Sequence, residues 1–311
     1  MIKKWFKALS PVTLLSAFSS VTLGTAIAWY KTGKIIWAFY FITLIALILA
    51  QAGVNLINDY IDYKTNIDLL YRKTGLFHRN NAIVDLNLNP KIVRSVGYSM
   101  IFIALLSGIY LALRVGIPVI VIGIIGLFLG VIYSEPPFNL KYRGYGEIIA
   151  AIVMGPLVVW GSYIVQTGNL STLYPLLVGI INGSFTFLIL LGSSSLKAET
   201  YKKLNKKNII IVMGNKIRYV VYSAIGLLYL SIILSSLFDF IPLIALISLI
   251  FIPNTLKLTR PLLKIEDVNK KWDELRQLWA GPFSARILIL IIIIVSIIIT
   301  RFIRILDISI F

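Results

Sequence analysis

An all-α bundle of nine transmembrane helices is the fold this sequence predicts, and three observations carry it. Hydrophobic residues make up 58% of the chain and charged ones only 14%, with a mean hydropathy of +0.89, far from the balance of a water-soluble domain. Nine apolar runs reach or approach the length needed to cross a bilayer. Lysine and arginine are biased strongly toward alternate connecting segments.

The runs lie near 12–30, 35–57, 95–113, 115–133, 147–165, 173–192, 217–237, 239–256 and 283–303. A basic head, Met1 to Lys7, precedes the first, but no small-residue cleavage site stands out after it, so the run reads as a retained helix. With the N-terminus cytoplasmic, 25 Lys and Arg fall inside and 5 outside, the latter being Lys31, Lys34, Arg114, Arg301 and Arg304. The expected arrangement is one multi-pass domain, residues 1–311, in the cell membrane with its C-terminus outside. Topology and anionic-lipid contact then account for the net charge of +17, and with no nucleic-acid module in the sequence, nucleic acid is not expected as a partner. The absence of cysteine removes disulfides and thiolate metal sites, and the single His78 is read as a loop residue.

The second run ends in Asn55-Leu-Ile-Asn-Asp-Tyr-Ile-Asp-Tyr63. On a helix, Asn55, Asn58, Asp59 and Asp62 follow the i, i+3, i+4, i+7 rule, which sets two amides and two carboxylates on one face at the cytoplasmic boundary. Like charges one turn apart repel unless a cation lies between them, so the stripe reads as a divalent-metal site on Asp59 and Asp62. Oxygen-only ligands favour Mg²⁺, which completes its shell with water and phosphate, and a diphosphate is the ligand class this suggests. Lys64, Arg72, Lys73 and Arg79, in the segment that follows, are candidate cationic partners for it. A membrane carboxylate cluster also suits an ion- or proton-coupled transporter, and the residues leave that alternative open.

Farther along, Ser134 to Gly146 forms a short loop whose Pro136-Pro137 pair forbids helix and presents Lys141 and Arg143 to the cytoplasm. Gly155-Pro156 predicts a kink and a close helix contact. Between Ile265 and Trp279 the apolar spacing suits a short helix at the cytoplasmic interface.

These residues resemble the UbiA-type intramembrane prenyltransferases, and within them the dihydroxynaphthoate polyprenyltransferases of menaquinone synthesis. Trp5 to Ala28 carries that group's first-helix elements, with Ser10 where an Arg is usual before Pro11. The Asn55 to Tyr63 stretch is similar to the first aspartate-rich motif, and Asp68 to a later acidic position, with Asn66 in place of Gly. Tyr133-Ser134, Pro137, Leu140, Arg143-Gly144, Gly146-Glu147, Gly155, Val165 to Gly168 and Ala285 to Ile287 continue the likeness. The resemblance implies a central cavity, Asp59 and Asp62 as catalytic Mg²⁺ ligands, and Asp68, Tyr133 and Arg143 as further cavity residues. It also implies a polyprenyl diphosphate donor and an aromatic acceptor, with residues 58–94 and 193–216 as cytoplasmic loops capping the site.

The second aspartate-rich motif departs from the pattern. Where the family has alternating Asp, Glu and Asp, this chain has Lys197, Glu199 and Tyr201, followed by Lys202, Lys203, Lys206 and Lys207. Two carboxylates and one Mg²⁺ sum to zero, whereas a Lys and a neutral Tyr sum to +1 without a metal, so Lys197 and Tyr201 become candidate diphosphate residues. Lys is a mobile point charge, however, and lacks the fixed inner-sphere geometry of a metal. Three functions follow: a prenyltransferase with a remodelled second motif, a catalytically silent isoprenoid-binding paralogue, or a carboxylate-dependent transporter.

Overall fold

Hydrocarbon offers no partner to a backbone N–H or C=O, so a chain this apolar crosses it as helices that satisfy those groups internally. A computed structural model describes residues 1–75, 79–263 and 272–309. Among these residues nine helices are long and apolar enough to cross a membrane. We label them α1 (Pro11–Thr32), α2 (Trp37–Lys64), α3 (Pro90–Val115), α4 (Ile117–Ser134), α5 (Gly146–Thr167), α6 (Pro175–Lys203), α7 (Ile209–Leu237), α8 (Leu243–Leu263) and α9 (Arg276–Leu306).

The nine apolar runs are therefore helices, with informative differences at their ends. Helix α2 continues to Lys64, so the Asn/Asp stripe occupies its last turns. Helix α6 continues to Lys203, which keeps Ser193, Lys197 and Tyr201 in helical register. In α8 a 3₁₀ segment, Leu243–Phe251, precedes the α-helical turns Ile252–Leu263. His78 and residues 264–271 lie outside the described residues. From Trp272 the chain already belongs to the helix that contains α9, so the Trp272 to Trp279 spacing is part of the last membrane helix and not of a separate surface helix.

Gly155-Pro156 falls within a π-turn, Val153–Leu157, inside α5. Proline supplies no N–H and a π-turn loosens the regular ladder, so nearby carbonyls need other donors. The Met154 carbonyl receives them from Asn182 Nδ2, at 2.8 Å, and from the Ser20 hydroxyl.

Most of the core lies between α1, α5, α6, α7 and α9, where Ile27, Ile164, Ile181, Phe185, Leu228 and Ile289 are fully buried. Small residues let these backbones meet. A Cβ on Gly155 would lie 2.5 Å from the Gly183 Cα, and one on Gly192 would lie 2.2 Å from the Leu278 carbonyl oxygen. The second contact locks α6 to α9 beside the turn of α6 that carries Lys197. Gly192→Leu is therefore expected to separate these two helices and lower stability by about 1–3 kcal/mol, the usual cost of overpacking. Thermal unfolding of the purified protein checks it.

Candidate active site

Asp59 and Asp62 are one turn apart near the end of α2, and both are almost completely buried. A buried carboxylate must be neutralised, and the chain brings cations to this point from three separate segments. Arg79, in the segment after α2, pairs with Asp59. From the loop between α4 and α5, the Lys141 ammonium reaches both Asp62 oxygens, at 2.9 and 3.1 Å, and the Asn58 side-chain oxygen. Lys197 comes from α6 and bridges Asp62, at 3.1 Å, to Asp68, at 3.0 Å.

Local conformation makes these meetings possible. Asn66 is left-handed, with φ 59°, and turns the chain from the end of α2 into a short helix, Ile67–Arg72, that delivers Asp68. Asparagine tolerates this region better than most residues, which accounts for its taking a position where the sequence pattern expects glycine. The side-chain oxygen of Asn81 accepts from the backbone N–H groups of Ile83 and Val84, while its amide donates to the Asp59 carbonyl and the Asp68 carboxylate. The Ala82 N–H donates to the second Asp59 oxygen at 2.8 Å. The Tyr142 hydroxyl donates to Asp62, and its ring meets that of Tyr201 edge-on at 5.8 Å.

Beneath this network lies a cavity of about 740 Å³. Its polar end is lined by Asn55, Asn58, Asp59, Asp68, Arg72, Arg79, Tyr133, Lys141, Lys197 and Tyr201, so most of the residues read from the sequence converge there. Asn55 is tied to the Thr13 hydroxyl at 3.0 Å, and Arg72 pairs with Asp85. Asp62 is fully buried beneath Lys141, Lys197 and Tyr142 and does not line the cavity. Lys64, Lys73, Arg143 and Glu199 are exposed and also lie outside the lining.

The sequence reading presented Lys141 to water; the structure corrects this, folding it inward against Asp62. Arg143 remains exposed and donates to the Pro137 carbonyl at 2.9 Å. Burial pulls the Lys141 ammonium down to about 8, against the pull of Asp62 and with the nearby charge of Lys197 adding to the lowering. Burial also tends to lower Arg79, but Asp59 and Asp68 outweigh it and hold the guanidinium more firmly protonated than usual. Lys141, Tyr142 and Asn81 were missed as site residues. The signal available for Lys141 was charge balance: three aspartates in or beside one helix end need counter-charges from elsewhere in the chain.

Oxygen-rich side chains are the right chemistry for Mg²⁺, but this arrangement does not fit a resident ion. Every carboxylate oxygen of Asp59, Asp62 and Asp68 already accepts a hydrogen bond from a protein donor. Among the described residues no group of three or more His, Cys, Asp or Glu is arranged to hold a metal.

The fold and site together define a helical membrane protein whose intramembrane cavity ends in a dense cluster of exchangeable charges. Comparison with known proteins identifies it further: residues 17–281 match the UbiA prenyltransferase family, and the chain belongs to that family. It is 28% identical to the 1,4-dihydroxy-2-naphthoate octaprenyltransferase of Bacillus subtilis, over 66% of this chain and 64% of that protein. It is 30% identical to the 2-carboxy-1,4-naphthoquinone phytyltransferase of Synechocystis, over 69% of this chain and 67% of that protein. The matched region thus spans about two thirds of these relatives. Among solved structures, a UbiA homologue from Archaeoglobus fulgidus bound to DMAPP and Mg²⁺ superposes with a TM-score of 0.64 at 13% identity, covering 92% of this chain and 99% of that one.

Removing one member of a buried ion pair leaves the other uncompensated, which typically costs about 3–5 kcal/mol. Lys141→Met is expected to destabilise the protein at or below the low end of that range, because Lys197 still reaches Asp62. Adding Asp62→Asn should restore part of the loss. A double-mutant cycle followed by thermal unfolding measures both.

Proposed function

We propose that this protein is a membrane prenyltransferase that moves a polyprenyl group from an isoprenoid diphosphate to an aromatic acceptor of the dihydroxynaphthoate type. The observation that carries the reading is the Lys197 ammonium, held between Asp62 and Asp68 at the polar end of a largely apolar cavity. Family membership and the naphthoate-linked relatives support this reaction and acceptor class, and favour them over the transporter reading of the carboxylates.

In this proposal the diphosphate enters at the charge cluster and takes donors from Lys197, Lys141 and Arg79, with Asn58 and Tyr201 beside them. The allylic C–O bond breaks and its electron pair leaves with the diphosphate, whose developing charge the ammonium and guanidinium groups stabilise. The acceptor carbon attacks the allylic carbon, a C–C bond forms, and the ring regains its electron pair by losing a proton to water or, where that carbon bears a carboxylate, CO₂. Leu47, Val54, Leu127, Leu157 and Val158 line the apolar part of the cavity, where a prenyl chain would be shielded from water. Asp59 and Asp62 are proposed as the catalytic carboxylates, because they position the cations that the donor must meet. Residues 58–94 and 193–216 are proposed as the cap on the cytoplasmic side of a cell membrane.

Mg²⁺, expected from the carboxylate stripe and bound by the Archaeoglobus homologue, is proposed as a companion of the donor and not as a resident ion. When bound it would supply further positive charge for the leaving group, with Asp59 and Asp68 as the carboxylates that reach the cavity.

Purified protein with a labelled polyprenyl diphosphate and a dihydroxynaphthoate is expected to form a prenylated product. Asp59→Asn should abolish turnover, and Lys197→Ala should weaken donor binding and lower kcat about 10²-fold, the typical loss of one electrostatic stabiliser. Donor binding without turnover under all conditions would instead establish the catalytically silent paralogue, a reading favoured by the loss of the second aspartate motif. Mg²⁺ alone should leave the melting temperature of the unmodified protein unchanged. Lys197→Asp, which places a fourth carboxylate in the cluster, should be less stable and be rescued by Mg²⁺.

A further inference from the structure

Away from the charge cluster, the cavity lining carries a charge that the donor site does not use. Arg286, on α9, is only 4% exposed and lines the cavity. Its hydrogen-bond partners are neutral oxygens: the Ser16 carbonyl and hydroxyl, each at 3.3 Å, and the Ser19 hydroxyl. No ion pair to a carboxylate is formed by Arg286 among the described residues. The carboxylates of the charge cluster are already taken, with Asp59 held by Arg79 and Asp62 and Asp68 by Lys141 and Lys197. A buried cation inside a membrane helix is costly when only dipoles compensate it, and such residues mark ligand sites.

Its surroundings describe the ligand. Trp279, Phe283 and Arg286 follow one another at i, i+4 and i+7, so two aromatic rings and a guanidinium share one face of α9, and all three line the cavity. Thr186 and Ser193 of α6 and Ser16 of α1 also line the cavity. Aromatic rings beside a guanidinium suit a planar group that carries an anion. Arginine is suited to that anion because its planar fork binds a carboxylate through two parallel hydrogen bonds.

Along α6 the path from Thr186 to Lys197 is about 16 Å, at 1.5 Å per residue. Thr186, Lys197 and Arg286 all line one cavity. We propose that Arg286 is the binding residue for the carboxylate of an aromatic acid acceptor, with Trp279 and Phe283 as the walls that hold its ring. The proposal rests on the prenyltransferase reading for the word acceptor, but the site itself is an aromatic-carboxylate site whatever reaction follows.

The test compares two redox-stable probes, 1-hydroxy-2-naphthoate and 1-naphthol, which differ by the carboxylate. Equilibrium binding to the purified full chain is measured beside binding of inorganic diphosphate. The unmodified protein should bind the naphthoate at least tenfold more tightly than the naphthol. Arg286→Gln should erase that preference while leaving naphthol and diphosphate binding unchanged, and Arg286→Lys should retain part of it. Equal affinity of the unmodified protein for both probes would overturn the proposal without any variant, which matters if Arg286→Gln does not fold. Equal weakening of both probes in the variants would also overturn it, leaving Arg286 as a clamp between α1 and α9. Diphosphate binding without any aromatic binding sinks this inference and leaves the donor site standing, whereas loss of both sinks the prenyltransferase reading as well.

Discussion

The pairing of Lys197 with Asp62 and Asp68 is the interaction on which the arrangement of this protein's polar end depends. Three carboxylates, Asp59, Asp62 and Asp68, are buried at one point, and a low-dielectric site cannot hold them unpaired. Arg79, Lys141 and Lys197 supply three positive charges, each from a different segment of the chain. Lys197 alone touches two of the acids, so it couples the end of α2 to the short helix that carries Asp68 and both to α6. The connecting segments are ordered by this neutralisation together with apolar packing, which buries Ala82, Ile83 and Leu86 against Leu56 and Val93.

The scaffold serves the same end by keeping α2 and α6 helical past their apolar runs. Had α2 ended at Ile57, the Asn/Asp residues would lie on a loop and their common face would be lost. Glycine contacts between α5 and α6 and between α6 and α9 then fix α6 closely enough that its polar stripe points into the cavity. The π-turn in α5 is tolerated because Asn182 and Ser20 donate to the Met154 carbonyl, an internal repair of the kind hydrocarbon demands.

The spans were legible in the sequence because hydropathy reports burial in lipid directly. The stripe of Asn55, Asn58, Asp59 and Asp62 was legible because helical periodicity is local, and Lys197 and Tyr201 because a family resemblance aligned them with a known motif. Lys141 was not. In sequence it is one of many cytoplasmic lysines, no different from Lys64 or Lys73, which remain exposed. Charge balance says that some distant cation must meet the aspartates, but only the long-range fold of the Pro-Pro loop makes Lys141 that cation. Glu199 failed in the opposite direction: motif alignment placed it with its neighbours, whereas helical geometry sends position 199 to a different face from Lys197 and Tyr201.

The two charged places in the cavity are unlike in a way that sorts two anions. At the α2 end the charges already cancel, so a further anion enters only by exchange, taking ammonium and guanidinium donors from carboxylates. A diphosphate can do this because it offers several charged oxygens at once, and the carboxylates it releases must then be neutralised by protons or by a cation that travels with it. At Arg286 nothing has to be displaced except weak dipolar contacts with serine, so one carboxylate suffices and brings no second charge into the membrane. An aromatic monoanion at the exchangeable cluster would leave cations half-satisfied, and a diphosphate at Arg286 would leave most of its charge unmet. Electrostatic balance alone thus assigns a donor and an acceptor to different places in one cavity.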